Sequence, residues 1–266
     1  LGNSMMLRLA MRMTKADAAS AQAWAVKAIS GGIIASNAGN AVIAHTDGPE
    51  GINKNGHGEV FDVDSQMRMS ATFGAHLAGD PRLSVLFAPG NSNAAGEIIG
   101  MPNGRTSDDY TGADGQTYAG IADRMIYAET HPALRKKDVP MVLLTTAEVH
   151  FLIGEAIIRG WVSGDAKTYY DAGVTAAMTM LADFYPDSTP IAQADIDAFL
   201  AGPGAYDSSK GWEMLMNEYW KATFLNEYEA YANWRRTGYP TLTPTKHPNS
   251  VSNNQIFRRM IYPGGE

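Results

Sequence analysis

Apolar positions recur at helical spacing near both ends of the chain and break up between them. From residue 3, Met6, Leu9, Ala10 and Met13 fall on one helical face. After Asp17, which suits an N-cap, Ala21, Trp24, Ala25, Ala28 and Ile29 make a second stripe, and Gly31-Gly32 end it. The spacing predicts two helices within residues 3 to 29. Residues 33 to 130 differ in kind. Their apolar runs are short and are separated by stretches rich in Gly, Asn, Asp, Ser and Thr, such as HTDGPEGINKNGHG, APGNSNAAG and PNGRTSDDYTGADGQTYAG. Loops of that length inside a compact domain tend to carry function.

Helical spacing returns near residue 140. Thr145 with Glu148 fits a capping box, Val149, Leu152, Ile153, Ala156 and Ile157 form the stripe, and Gly160 closes it. After the turn WVSGD, Ala166, Tyr170, Gly173, Val174, Ala177, Leu181 and Phe184 predict a helix over about 165 to 184. This pair fits the small-and-large pattern of a tetratricopeptide repeat, with Ile153-Gly154 in the Leu-Gly place and Ala166, Tyr170 and Gly173 at the contact positions of the second helix. The repeat is degenerate, since His150 stands where the pattern has Trp and the closing Pro is absent. The N-terminal pair fits more loosely, one residue out of step at Ala21. Thr189-Pro190 predict the cap and first turn of a short helix at 191 to 200. Residues 211 to 236 read as one long helix or two. Their Trp212, Tyr219, Trp220, Phe224, Tyr228, Tyr231 and Trp234 recur every three or four positions and are expected in the core.

The fold class expected is mainly α, a tetratricopeptide-like helical scaffold with a large loop-rich insertion. It is expected to form a single domain over 1–266, with a helical pair at 1–32, the loop-rich region at 33–139 and the helical scaffold with its C-terminal segment at 140–266.

Composition narrows the function classes. The chain has 266 residues, 45% of them hydrophobic, enough for a sizeable core. A net charge of −7 argues against a general nucleic-acid binder. The absence of cysteine excludes disulfides, thiolate zinc sites and a cysteine nucleophile. No run of about 18 apolar residues predicts a transmembrane helix. Arginines interrupt the first apolar residues, so they do not read as a signal peptide. A periodic segment at residue 3 with no cap ahead of it predicts a start inside a domain.

Candidate chemistry is sparse. Glu148 and Glu155 lie two turns apart on one helix face, with His150 near them, and paired carboxylates can run glycoside hydrolysis. The stronger reading is structural: Glu148 belongs to the capping box, and Glu155 can pair with Arg159 one turn on. No two of the six histidines have i, i+4 spacing on a helix, and HExxH, GxSxG and Walker motifs are absent. The segments DVDSQ (62 to 66) and SDDYTGADG (107 to 115) carry oxygen ligands suited to a structural Ca²⁺, without EF-hand order. No other cofactor or metal is called for. Tyr110 and Tyr118 stand among Asn, Asp, Gly and Arg, a setting that suits either stacking on a sugar ring or pinning the loop. With Asn103, Arg105 and Asp109 they form the candidate ligand-binding set. The element WRRTGYP at 234 to 240 is nearly repeated by RRMIYP at 258 to 263. Arg235, Arg236, Arg258 and Arg259 are expected to pair with acidic helix residues such as Glu148 or Glu155, with Gly238 and Pro240 ending the helix.

Several of these segments, in order along nearly the whole chain, resemble the SusD/RagB family of surface glycan-binding lipoproteins of Bacteroidetes. They are GNSMMLRLAMRM, SGGIIASNAGNA, DPRL at 80 to 83, YAGI at 118 to 121, LTTAEVHFLIGEAIIRGW, the closing helix running into WRRTGYP, and FRRMIYP with Glu266. The resemblance implies non-catalytic binding of an oligosaccharide, or in some members a peptide, at the extracellular face of the outer membrane, and delivery to a SusC-like TonB-dependent transporter. It also implies a leader, a lipidated cysteine as the only membrane attachment, and a first pair of tetratricopeptide helices ahead of residue 1. Ligand contacts in the family come from the variable irregular region, so none carries over by motif. A glycoside hydrolase using Glu148 or loop aspartates and a cytosolic repeat scaffold are the remaining alternatives.

Overall fold

The computed structural model describes residues 1–48, 53–64 and 67–259. Helices α1 (Gly2–Arg12) and α2 (Ala18–Ser30) pack side by side. Asp17 caps α2 through the Ser20 amide, 3.0 Å away, and Gly32 at φ +84° turns the chain out of it. Three alanines, Ala21, Ala25 and Ala28, are fully buried on α2 and allow close approach of α1. On α1 the buried face is Leu7, Ala10 and Met11. It is rotated from the stripe expected from spacing, and Leu9 is 55% exposed, as Trp24 on α2 is 45% exposed. Spacing defines an apolar arc; the neighbours of α1 select which part of it is covered.

The scaffold centres on α6 (Thr146–Ile158) and α7 (Ala166–Phe184). The capping box at Thr145 and Glu148 is complete in both directions. Two glycines bring helices close, as the repeat pattern requires. A Cβ on Gly173 would lie 2.4 Å from the Phe151 ring, and one on Gly154 would lie 2.9 Å from Leu215. Leu215 belongs to α9 (Gly211–Ala222), which packs on α6 and is followed by α10 (Glu227–Thr237). The region 211 to 236 is therefore two helices, broken at Leu225 with φ +63°. Its aromatics divide: Tyr219 and Trp234 are buried, whereas Tyr228 is 85% exposed and does not join the core. The short helix α8 (Gln193–Ala201) starts after Ala192, not at Thr189-Pro190. Ile191 reaches the core from extended chain, which delays the first turn.

The insertion leaves and rejoins the scaffold at one place. Strand β1 (Ala41–Ile43) pairs antiparallel with β6 (Met141–Leu144), which leads directly into α6. Between them lie short helices α3 (Gly56–Val63), α4 (Ala71–His76) and α5 (Leu83–Leu86). Two further antiparallel pairs join β2 (Phe87–Ala88) to β5 (Glu129–Thr130) and β3 (Tyr110–Thr111) to β4 (Thr117–Tyr118). A second apolar cluster, with Phe73, Leu77, Leu86, Phe87 and Leu134, docks on Leu181, Phe184 and Tyr185 at the end of α7. Phe73 stacks on Phe224 at 5.3 Å and meets Trp220 edge-on at 4.8 Å, tying the insertion to α9 and the turn after it. The architecture is thus a helical, tetratricopeptide-like scaffold carrying a long, mostly irregular insertion. No described helix is long and apolar enough to cross a membrane.

Candidate ligand-binding site

The carboxylates singled out on α6 are locked into ion networks. Glu148, 1% exposed, accepts from Arg8 at 2.6 Å, and its Oε1 lies 3.0 Å from the Thr145 amide. The Tyr219 hydroxyl sits between Glu148 and Glu229, at 3.1 and 2.8 Å. Arg12 pairs with Glu229, and Arg8 Nε lies 3.4 Å from it. Burial, with the neighbouring Glu229 charge adding to it, pushes the Glu148 carboxyl up against the opposing pull of Arg8. Glu155, wholly buried, is held by Arg159 at 2.8 Å and by both terminal nitrogens of Arg236. Both carboxylates are engaged by the protein itself, which is the structural reading expected of them. His150 is half-buried; its Nδ1 has no hydrogen-bond partner, and burial lowers its pKa.

The Arg-Arg element divides accordingly. Arg236 pairs with Glu155 as expected, and Gly238 at φ +84° ends α10. Arg235 and Arg258 do not pair with Glu148 or Glu155. Arg235 lies over the Tyr231 ring, while Arg258 lies over Trp234 and reaches the Arg235 carbonyl at 3.4 Å. Glu148 takes Arg8 instead, because α1 crosses α6 at that turn. The Met-Ile-Tyr-Pro end of the second copy and Glu266 lie outside the described residues.

A third network escaped the sequence reading. Arg82 of DPRL is 1% exposed and grips Asp80 through Nε at 2.9 Å and Nη2 at 2.5 Å, and Glu218 at 2.6 Å. Lys221 reaches Asp80 at 3.1 Å and also pairs with Glu218. Glu218 and Lys221 lie on α9, so DPRL bolts the insertion to the scaffold. No local signal in the sequence links positions this far apart.

The candidate ligand set gathers around the β3–β4 pair of the insertion. Strands β3 and β4 bring Tyr110 and Tyr118 into register, with ring centroids 5.4 Å apart and stacked. The Arg105 guanidinium lies 4.3 Å from the Tyr118 ring centre, and His247 lies 4.9 Å from Tyr110. The result is a row of four groups, Arg105, Tyr118, Tyr110 and His247, in which the His247 ring is tilted 52° to that of Tyr110. Each tyrosine ring thus already has a neighbour on either side. The hydroxyls are tied as well: Tyr110 donates to the Gly104 carbonyl at 2.9 Å, and Tyr118 to Asp114 at 2.6 Å. That bond raises the Tyr118 pKa and lowers that of Asp114. Asp109 accepts from the Gly120 amide at 2.7 Å, and Asn103 is exposed. The segment before His247 clasps the hairpin, since Ala113 donates to the Lys246 carbonyl at 2.9 Å.

Beside the stack opens a cleft of roughly 410 Å³, lined by Met101, Arg105, Thr106, Ser107, Ile121 and Arg124, together with Ala122. Its two walls meet where Ile121 donates to the Thr106 carbonyl at 2.8 Å. Gly120 is required there, because a Cβ would fall 2.3 Å from the Ser107 carbonyl oxygen. Of the expected set, Arg105 reaches this cleft, Tyr118 backs it, and Asn103 and Asp109 do not line it. His247 and Arg124 were not singled out in the sequence; His247 joins the stack from more than a hundred positions away. Among the described residues, no group of three His, Cys, Asp or Glu is placed to hold a metal. Asp109 and Asp114 face backbone amides and a tyrosine hydroxyl, and Ser65 and Gln66 of DVDSQ lie outside the described residues.

No curated protein sequence matches the chain. Solved structures do. A chitin-binding protein is 30% identical with a TM-score of 0.84, over 98% of this chain and 56% of that one. A SusD homologue from Bacteroides vulgatus is 27% identical with a TM-score of 0.69, over 93% and 52%. A SusD-like protein from Bacteroides thetaiotaomicron is 25% identical with a TM-score of 0.70, over 98% and 56%. The chain therefore spans a little over half the length of these relatives. Residues 1–263 match the SusD-like family described as starch-binding and associating with the outer membrane. With that match and the shared helical fold, the chain belongs to the SusD-like family.

Proposed function

We propose that the protein binds an oligosaccharide at the outer membrane, without catalysis, in the cleft flanked by Arg105 and Ile121. The observation that carries this reading is an open, hydroxyl- and guanidinium-lined cleft on a pinned loop, in a chain whose family is described as starch-binding. The 30% identical relative is a chitin-binding protein, which agrees with a polysaccharide ligand. Ser107 and Thr106 offer hydroxyls, Arg105 offers directed N–H donors, and Met101 and Ile121 offer apolar surface for sugar C–H groups. Tyr110 and Tyr118 hold Arg105 in place through the stack, and Asn103 and Asp109 keep the rim in shape. Attachment by an N-terminal lipid and delivery to a SusC-like TonB-dependent transporter complete the proposal.

Affinity electrophoresis through gels loaded with soluble polysaccharides tests it. The protein should be retarded by at least one glycan and release no reducing sugar from it. Tyr118→Ala should reduce the retardation at least about tenfold, since it removes the support of Arg105. Release of sugar, or mobility unchanged on every polysaccharide, would sink the reading.

A further inference from the structure

The cleft has a charge character that glycan binding by itself does not require. Two of its lining residues are arginines, Arg105 and Arg124, and none is a carboxylate. In a chain of net charge −7, the buried arginines are held by carboxylates: Arg8 by Glu148, Arg82 by Asp80 and Glu218, and Arg236 by Glu155. These two differ. Arg124 is exposed and its guanidinium has no hydrogen-bond or ion-pair partner among the described residues. Arg105 is half-buried, and its Nη1 is shielded from solvent yet has no hydrogen-bond partner. Its one side-chain contact of note is the stack on Tyr118, which fixes the plane of the guanidinium and leaves its N–H edge unengaged.

The acidic residues nearest in sequence are turned elsewhere. Asp109 accepts from the Gly120 amide and Asp123 from the Met125 amide, and neither lines the cleft. Asp108 is exposed and also lies outside it. Two arginines without carboxylate partners line one cleft, and an oxyanion bound there would compensate their charge. A guanidinium fork matches the two oxygens of a carboxylate or sulfate, and charge-assisted bonds of this kind are the stronger class.

Resting on the glycan-binding reading, we propose that this cleft takes an oxyanion carried on a sugar, bound between Arg105 and Arg124 with Ser107 as an additional donor. The anion is the carboxylate of a uronic acid residue or the ester sulfate of a sulfated sugar. The apolar floor at Met101 and Ile121 receives the ring that bears it.

Isothermal titration of the whole chain with two matched pairs tests this: an oligogalacturonate against its carboxyl-reduced counterpart, and a sulfated galacto-oligosaccharide against its desulfated form. One charged member should bind at least about tenfold tighter than its neutral partner, and the pair that shows the difference identifies the source of the anion. The preference should weaken as NaCl is raised. Arg124→Ala, at an exposed position, should erase the preference with an unchanged melting temperature. Arg105→Lys keeps the charge and tests the fork; it should retain part of the preference and Arg105→Gln none. Equal binding of charged and neutral members, or a preference that survives Arg124→Ala together with Arg105→Gln, overturns the anion proposal and leaves glycan binding standing. The same holds if all four fail while a starch or chitin oligomer binds. Failure of every glycan would remove the functional reading, and the anion proposal with it.

Discussion

Arg236 holds Glu155 with both of its terminal nitrogens, Nη1 to Oε1 at 2.5 Å and Nη2 to Oε2 at 2.7 Å, across 81 positions of sequence. Glu155 is wholly buried on α6 and Arg236 is 9% exposed at the end of α10. The pair joins the repeat-like helices to α10, the last helix among the described residues. Removing one partner of such a pair strands a buried charge, which costs more than the pair contributes net. Arg236→Ala should therefore destabilise the fold by about 3–5 kcal/mol, near the lower end because Arg159 still holds one oxygen. Urea unfolding measures it, and a loss below about 1 kcal/mol would show that Arg159 alone suffices.

The Arg82 cluster makes a parallel prediction for the insertion. Arg82→Met should cost about 3–5 kcal/mol, since Asp80 and Glu218 would be left to share Lys221. Because DPRL bolts the insertion to α9, amide exchange should rise most around residues 69 to 101. Uniform acceleration across the scaffold instead would refute that local role.

Gly173→Ala tests the close approach of α6 and α7. The new Cβ would meet the Phe151 ring at 2.4 Å, and relieving that contact should cost about 1–3 kcal/mol despite the better helix propensity of alanine. A stabilised variant would mean that the helices have room to part.

His57 and Glu227, 2.9 Å apart, join α3 to the start of α10 and give a pH signature. The hydrogen bond to Glu227 raises the His57 pKa above 6.5, and the same bond lowers the Glu227 pKa below 4.5. The raised histidine stabilises fully below 6.5 and loses that effect as pH rises through its folded pKa. The lowered carboxylate stabilises above 4.5 and loses its effect as pH falls through its folded pKa. The pair therefore contributes most between 4.5 and 6.5. Glu227 is 63% exposed at its side chain, so the contribution stays below about 1 kcal/mol. Comparing His57→Ala with the parent by urea unfolding should show a gap at pH near 5.5 that closes near 8.5. An NMR titration placing His57 at or below 6.5 would contradict the raised value.

Local rules carried the helices and their caps. The capping box at Thr145 and Glu148, the α2 cap at Asp17, the stops at Gly160 and Gly238 and the α6–α7 pair are all legible in the sequence, because each depends on residues within a few positions of one another. The same reading set Glu155 beside Arg159 and picked out Tyr110, Tyr118 and Arg105 as a group within one loop. Where it missed, a distant neighbour decided. Leu9 and Tyr228 fit apolar stripes but face solvent, since burial depends on which helix arrives on that face. Ile191 held the start of α8 back by packing on the core.

By itself, then, the sequence determined the helical, tetratricopeptide-like scaffold and the family resemblance that runs along it. Tertiary structure decided how charges pair. Glu148 received Arg8 from α1, Arg82 received Glu218 from α9, and Arg105 and Arg124 were left facing one cleft without a carboxylate. The physical reason is range: hydrogen-bonded caps and turns close over a few residues, while buried charges and stacked rings are satisfied by whatever the packing of distant segments brings within a few ångströms.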